Sequence, residues 1–317
     1  MLAGTGVETL RAHMLFAGDL NVDIQMTDLR SPMETDREVF CDGFTVAVGG
    51  STAIAAAAYT RLGGDAELCA VVGDDDYGRF LAARLRETGL GLRLLRSITG
   101  RPTGVTVNIV YGSTGSQVTY PGTLALADES EVILRELHRF SHVHVSGPYG
   151  TPRFLPRIRA IMREARVLGL TTSLDTQWDA TQKWKHLKSW LPHLSYLFLN
   201  RDEALAISGT TGVESAWRAL AESTACPIIK LGPRGAYAAG RRQEAFAIDV
   251  VDPTGAGDVF AAGFLYALHV LGMTFDPALR FAVAAGALAC TYEGGVSPLL
   301  TRRRVTQMLE APPSAKR

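Results

Sequence analysis

The chain has 317 residues, 47% of them hydrophobic and 20% charged, with 32 Lys plus Arg set against 32 Asp plus Glu. That length can bury a sizeable core as one large α/β domain or two smaller ones. The balance of charge excludes a global field that would recruit nucleic acid or an anionic membrane, so any phosphate has to be bound locally.

Met1–Ala12 has no basic region leading into an apolar run and reads as a loosely held leader, not a signal peptide. Cys41, Cys69, Cys226 and Cys290 are far apart and form no CxxC pair, a usage that fits reduced thiols in a cytoplasmic protein. Met14–Ala17 reads as a buried first strand ending at Gly18-Asp19-Leu20-Asn21-Val22-Asp23. In an open parallel sheet, ligands collect at the carboxyl ends of strands, although Asn and Asp also favour turns for local reasons. Residues 24–48 lack helical spacing; Gly49-Gly50-Ser51 then precedes an Ala-rich helix, where a double glycine lets the backbone approach a ligand or a neighbouring element. Leu68–Val72 is a strand, and Asp74-Asp75-Asp76 after it reads as the capped start of a helix in preference to a metal site.

Strict alternation from Pro102 to Tyr120, with Val105, Val107 and Ile109 on one face and Thr106, Asn108 and Val110 on the other, predicts a hairpin turning at residues 112–115. From Asp128 to Val283, helices alternate with short apolar strands at 142–145, 170–174, 196–199 and 227–231. Repeated βα units of this kind predict a largely parallel sheet covered by helices on both faces. Asp175 closes one of these strands without an assigned role. Asn200-Arg201-Asp202-Glu203 follows another and has the form of a helix cap with acids in its first turn. Lys230-Leu231-Gly232-Pro233-Arg234-Gly235 follows the fourth. The apolar run from Val259 to Met273 contains His269 and is shorter than the ~20 residues of a membrane span, which makes it a core helix. The end of the chain, with Arg302–Arg304 and Pro312-Pro313, reads as a solvated tail.

The most informative stretch is Val251–Leu265, VDPTGAGDVFAAGFL. Glycines at 255 and 257 allow successive N–H groups to point at one anion, and a helix beginning near Asp258 adds its positive end. A carboxylate competes with an anion there. The conflict resolves if Asp258 takes a proton from a hydroxyl while amides of Gly255, Ala256 and Gly257 stabilise the phosphoryl group under attack. No GxxxxGK[ST], GxGxxG, HRD or DFG occurs, which argues against a P-loop enzyme, a Rossmann dehydrogenase and a protein kinase.

DPTGAGDVFAAGFL resembles the C-terminal signature of the ribokinase-like, or PfkB, family of carbohydrate and nucleoside kinases, and the resemblance extends over about Met14 to Leu300. It implies a ribokinase-like α/β fold over 13–305, with lid strands from about 24–48 and 98–123 and tails at 1–12 and 306–317. By the GDLNVD match, Asn21 and Asp23 would hold sugar hydroxyls, and by the GG match Gly49, Gly50 and Ser51 would line the sugar pocket. The NxxE match gives Asn200 and Glu203 to ATP and, through water, to Mg²⁺. The KLGxxG match gives Lys230, Gly232 and Gly235 to the nucleotide. Asp252 and Thr254 would hold a monovalent cation such as K⁺, with 294–297 opposite. Two departures bear on the acceptor: Ile54 stands where many members have Asn, and Ser146 where ribose-phosphorylating relatives carry an acid. The expected activity is ATP-dependent phosphorylation of a sugar or sugar derivative, with a nucleoside kinase or a non-catalytic sensor as alternatives. The free face of the lid is a candidate homodimer surface.

Overall fold

A computed structural model describes residues 13–112 and 114–310. The expected leader therefore lies outside the described residues. The chain opens with β1 (His13–Gly18), β2 (Asn21–Leu29) and β3 (Cys41–Gly49), then α1 (Ser51–Arg61), β4 (Asp65–Gly73), α2 (Asp76–Arg86) and β5 (Leu95–Ile98). The hairpin follows as β6 (Val105–Tyr111) and β7 (Thr114–Tyr120). After it come α3 (Ser130–Glu136), β8 (His142–Ser146), α4 (Ile158–Val167), β9 (Thr171–Asp175), α5 (Leu187–Trp190), β10 (Tyr196–Asn200), α6 (Arg201–Ser208), α7 (Val213–Ala221) and β11 (Pro227–Lys230). Short β12 (Ala236–Ala238) and β13 (Arg241–Gln243) lead to α8 (Ala256–His269), α9 (Phe275–Ala289) and α10 (Arg302–Glu310).

Nine strands form one sheet in the order β13-β12-β11-β10-β9-β8-β1-β4-β5, parallel except at the β12 and β13 edge. Alternation along β1 explains the layers. Met14 and Phe16 enter a core shared with α1, α8 and α9, while Leu15 and Ala17 enter a second core shared with α3, α4 and α7. Both faces of a strand are apolar because both are covered. Helix α8 is buried from Asp258 to Ala267 and lies between α1 and α9. Its Gly263 permits that closeness, since a Cβ there would stand 2.9 Å from the Ala285 Cβ.

A second sheet, β3-β2-β6-β7, is the lid. It differs from the expected layout in where it begins. Asn21 and Asp23 are not in a turn after β1 but on the lid strand β2 itself, while β5 near residue 98 belongs to the large sheet. The triple-Asp segment caps α2, with the Gly78 amide donating to Asp75 Oδ1 at 2.8 Å. Arg302–Glu310 is not a solvated tail: it is α10, packed on α9 with Val305 fully buried. Val305, Met308 and Leu309 supply an i, i+3, i+4 apolar stripe, a period that the run of arginines obscures. Residues 311–317 lie outside the described part.

Candidate active site

The anion turn ends in Gly255, the N-cap of α8, at φ +74°. Two constraints demand glycine here: the left-handed backbone, and a Cβ that would stand 2.8 Å from Gly295 Cα and 3.0 Å from Ile54 Cγ2. Ile54 thus packs beneath the anion turn, against Gly255 and Gly295. Asp252 fixes the other side. Its Oδ1 accepts from the Thr254 amide at 2.8 Å and its Oδ2 from the Gly294 amide at 2.9 Å, so one carboxylate ties the two loops together.

Asp258 follows in the first turn of α8 and is 6% exposed. Its Oδ1 accepts from Gln177 Nε2 at 3.1 Å, and the neighbouring Ser51 hydroxyl favours its charged form. Burial, reinforced by the charge of Asp175, pushes its carboxyl well above the usual carboxylate range, with Lys230 opposing. A base tuned upward in this way has the proton affinity that an alcohol requires of it, with cationic support offsetting part of the rise.

That support comes from Lys230 at the end of β11. Its Nζ lies 2.6 Å from Asp175 Oδ2 at the end of β9, the carboxylate buried and the lysine nearly so. Burial works against the ammonium, but Asp175, Glu203 and Asp258 outweigh it and hold the lysine pKa up. A Cβ on Gly257 would stand 3.1 Å from Lys230 Nζ, so the glycine lets the ammonium reach the turn. Asp175, whose role the sequence left open, is therefore the partner of the phosphate-side lysine. Gln177 escaped sequence reading altogether. It is held at φ +51°, and only its neighbourhood to a strand end could have flagged it.

Asn200 and Glu203 form a complete capping box on α6: the Glu203 amide donates to Asn200 Oδ1 at 2.9 Å, and Glu203 Oε2 accepts from the Asn200 amide at 2.9 Å. The Thr176 hydroxyl donates to the same carboxylate at 3.0 Å. Gly232 (φ +57°) faces open space, whereas Gly235 is required by packing, its Cβ falling 1.9 Å from the Gln243 carbonyl.

On the acceptor side, Asn21 Nδ2 donates to Asp23 Oδ1 at 2.8 Å and to Thr106 Oγ1 at 3.1 Å. Gly49 makes room for this pair, since a Cβ would fall 2.1 Å from Asp23 Oδ1; Gly50, at φ +91°, turns the chain into α1. Burial pushes the Asp23 carboxyl up to about 6. Asp19, from the same segment, acts structurally: its oxygens accept from the Ser51 and Thr52 amides at 3.1 and 2.8 Å, capping α1. The Ser146–Pro148 turn packs on Asp19 through Gly147 and lines neither of the large cavities described next.

Those two cavities meet at Pro253. One, about 500 Å³, is largely apolar, walled by Phe246, Ile248, Val250, Val283 and Ala287, with Lys230 and Gly257 at one end. The 245–250 segment carries no motif, so its part in the site was not legible in the sequence. The other, about 940 Å³, lies between the polar face of the lid and residues 251–254.

An apolar slot ending at a lysine and an amide-lined turn, beside a buried carboxylate and a polar lid, defines a phosphotransferase that acts on an alcohol. The chain belongs to the pfkB family of carbohydrate kinases, whose profile matches residues 11–302. It is similar to an ATP-dependent ribose-1-phosphate kinase of Halopiger xanaduensis (29% identity, covering 90% of this chain and 94% of that one). It also resembles a 2-dehydro-3-deoxygluconokinase of Bacillus subtilis (28%, 84% and 88%). Among solved structures, Arabidopsis thaliana ribokinase complexed with ribose and ATP shares the fold at TM-score 0.81 and 23% identity, covering 95% of this chain and 99% of that one. An E. coli protein assigned as ribokinase II, solved with ATP and Mg²⁺, gives 0.82 at 22%, covering 94% and 99%.

Proposed function

We propose that Asp258 is the general base of an ATP-dependent carbohydrate kinase, removing the proton of a sugar hydroxyl as its oxygen attacks the γ-phosphoryl group. The observation that carries this reading is a buried carboxylate in the first turn of α8, beside the glycine-capped turn that opens the helix. Amides of Gly255, Ala256 and Gly257, with the ammonium of Lys230, would stabilise charge on the transferred group. The 500 Å³ slot fits a purine with its phosphates directed at Lys230, and Gly232 and Gly235 would edge the nucleotide. Asn21, Asp23, Gly49, Gly50 and Ser51 would hold the sugar.

Mg²⁺ supplies charge neutralisation on the ATP phosphates. Asn200 and Glu203 suit it only from beyond its water shell, because the capping box engages both Glu203 oxygens; an ion that keeps several waters tolerates that distance. Asp252 and Thr254 are assigned to a monovalent cation, to be checked by comparing ADP release in potassium and sodium salts. The lid leaves Phe44, Val118 and Tyr120 exposed, which supports a homodimer through that surface, measurable by sedimentation. Unpaired thiols support a cytoplasmic location, and no helix among the described residues is long and apolar enough to cross a membrane.

The test is Asp258→Asn assayed for ADP release with ATP, Mg²⁺ and a panel of sugars. Turnover should fall by about 10³-fold or more with ATP affinity nearly unchanged; near-normal turnover would defeat the assignment.

A further inference from the structure

The cavity under the lid is at the upper end of the ~300–1,000 Å³ found for small-molecule sites, more space than one sugar ring fills. It starts beyond Asp23. Gln25 is the next residue on the same face of β2, about 7 Å further along the strand, and it opens a row of polar side chains that crosses the whole lid. Thr45, Gln25, Asn108 and Gln117 are in register on β3, β2, β6 and β7, so all four project from one face, and all four line the cavity.

Two of these side chains are built into place. Gln25 and Asn108 are both 9% exposed. Among the described residues, Gln25 Nε2 makes only a long 3.4 Å contact to Thr254 Oγ1, and Asn108 Oδ1 is buried with no hydrogen-bond partner. An unpaired buried amide oxygen costs stability and is kept where something else completes it. Rotation of the side-chain amide offers either its oxygen or its NH₂ to a ligand. The charge of the wall narrows the ligand further: Asp28, Asp252 and Glu293 line the cavity, and among the described residues no Lys or Arg does. A phosphate or carboxylate would meet only like charge here.

From this arrangement we infer that the lid carries a second acceptor subsite, one row beyond Asp23, for an uncharged hydrogen-bonding group attached to the ring that bears the reacting hydroxyl. The inference rests on the kinase reading and sharpens it. The substrate is a neutral glycoside or nucleoside, extended beyond one ring, and sugar acids and sugar phosphates are excluded.

The experiment has two readouts. Kinase assays compare monosaccharides, their neutral glycosides and disaccharides, nucleosides, and sugar acids, in wild type and in Asn108→Ala and Gln25→Ala. The best acceptor should be a glycoside or nucleoside, the choice between them being read from the panel, and the variants should lower its kcat/KM relative to the parent monosaccharide by about tenfold. Asn108→Asp should depress it again by adding charge. Calorimetry on Asp258→Asn measures binding of the same compounds without turnover. An amide-dependent preference for the extended compounds in binding, with no phosphorylation of any compound by wild type, would keep the subsite and remove the kinase reading. A bare monosaccharide or a sugar acid as best ligand, or variants that weaken all acceptors equally, would overturn the subsite.

Discussion

The two sides of the site are built in opposite ways. On the phosphate side, pairs of polar groups are closed on each other before any ligand arrives, Lys230 on Asp175 Oδ2, Asn200 on Glu203 and Asp252 on two amides, while Asp175 Oδ1 is left buried without a partner among the described residues. On the lid side, the amide row is left incomplete, with Asn108 Oδ1 unpaired and Gln25 loosely held. Fixed dipoles and charges stabilise a developing phosphoryl charge without reorganising, so rigidity serves that half. Recognition of an acceptor leaves its last hydrogen bonds to be made by the ligand, so unmade bonds serve the other.

This contrast predicts different kinetic signatures. The largest effect after loss of the base should follow Lys230→Met, which removes the phosphate-side cation and leaves Asp175 buried and unpaired. Turnover should drop by about 10²-fold for every acceptor alike, and stability, read by denaturant melts, should fall by about 3–5 kcal/mol. An acceptor-dependent loss would break the division. Gly49→Ala should act in the other register. Its Cβ displaces the Asp23 carboxylate, so the acceptor KM should rise by about tenfold while the ATP KM stays within about twofold. The smallest effect belongs to Gln177→Ala. Its Nε2 donates to the charged form of Asp258, so its loss raises the base pKa further and moves the acid limb of the kcat/KM profile to higher pH. The base must be deprotonated to act, hence activity rises with pH through that pKa and the variant should show its deficit mainly on the acid side. A uniform decrease across pH, about tenfold or less, would make Gln177 a packing residue only.

A chain of polar contacts also runs into the core beneath the phosphate side, where His144 Nε2 is left buried without a partner among the described residues. His142 and His144 share Ser173 Oγ at 2.7 Å each, and His142 Nδ1 reaches Thr171 at 2.7 Å. Burial lowers all three pKa values in this region, to about 3 for His144, to about 4 for His269, and well below 6.5 for His142. Rings held neutral in this way contribute stability above about pH 6.5 that is lost as the pH falls toward these values. Unfolding free energies from denaturant melts at about pH 7 and pH 5 should differ by up to about 2 kcal/mol for each ring.

The sequence by itself determined the alternating αβ order, the lid hairpin and the anion turn, because period, glycine spacing and helix polarity are local properties of consecutive residues. The places of Asp258, Lys230 and the Asn200–Glu203 pair were legible for the same reason, each at the end of a strand or the start of a helix that its neighbours announce, whereas the roles expected of Lys230 and of Asn200–Glu203 came from the family resemblance. Only the tertiary structure decided that Asp175 answers Lys230, that Gln177 holds Asp258, that Ile54 supports the turn, and that Thr45, Gln25, Asn108 and Gln117 stand in one row. Those relations join residues 55 to 241 positions apart or span four strands, and register between strands is set by packing and pairing across the whole sheet, which no local pattern encodes.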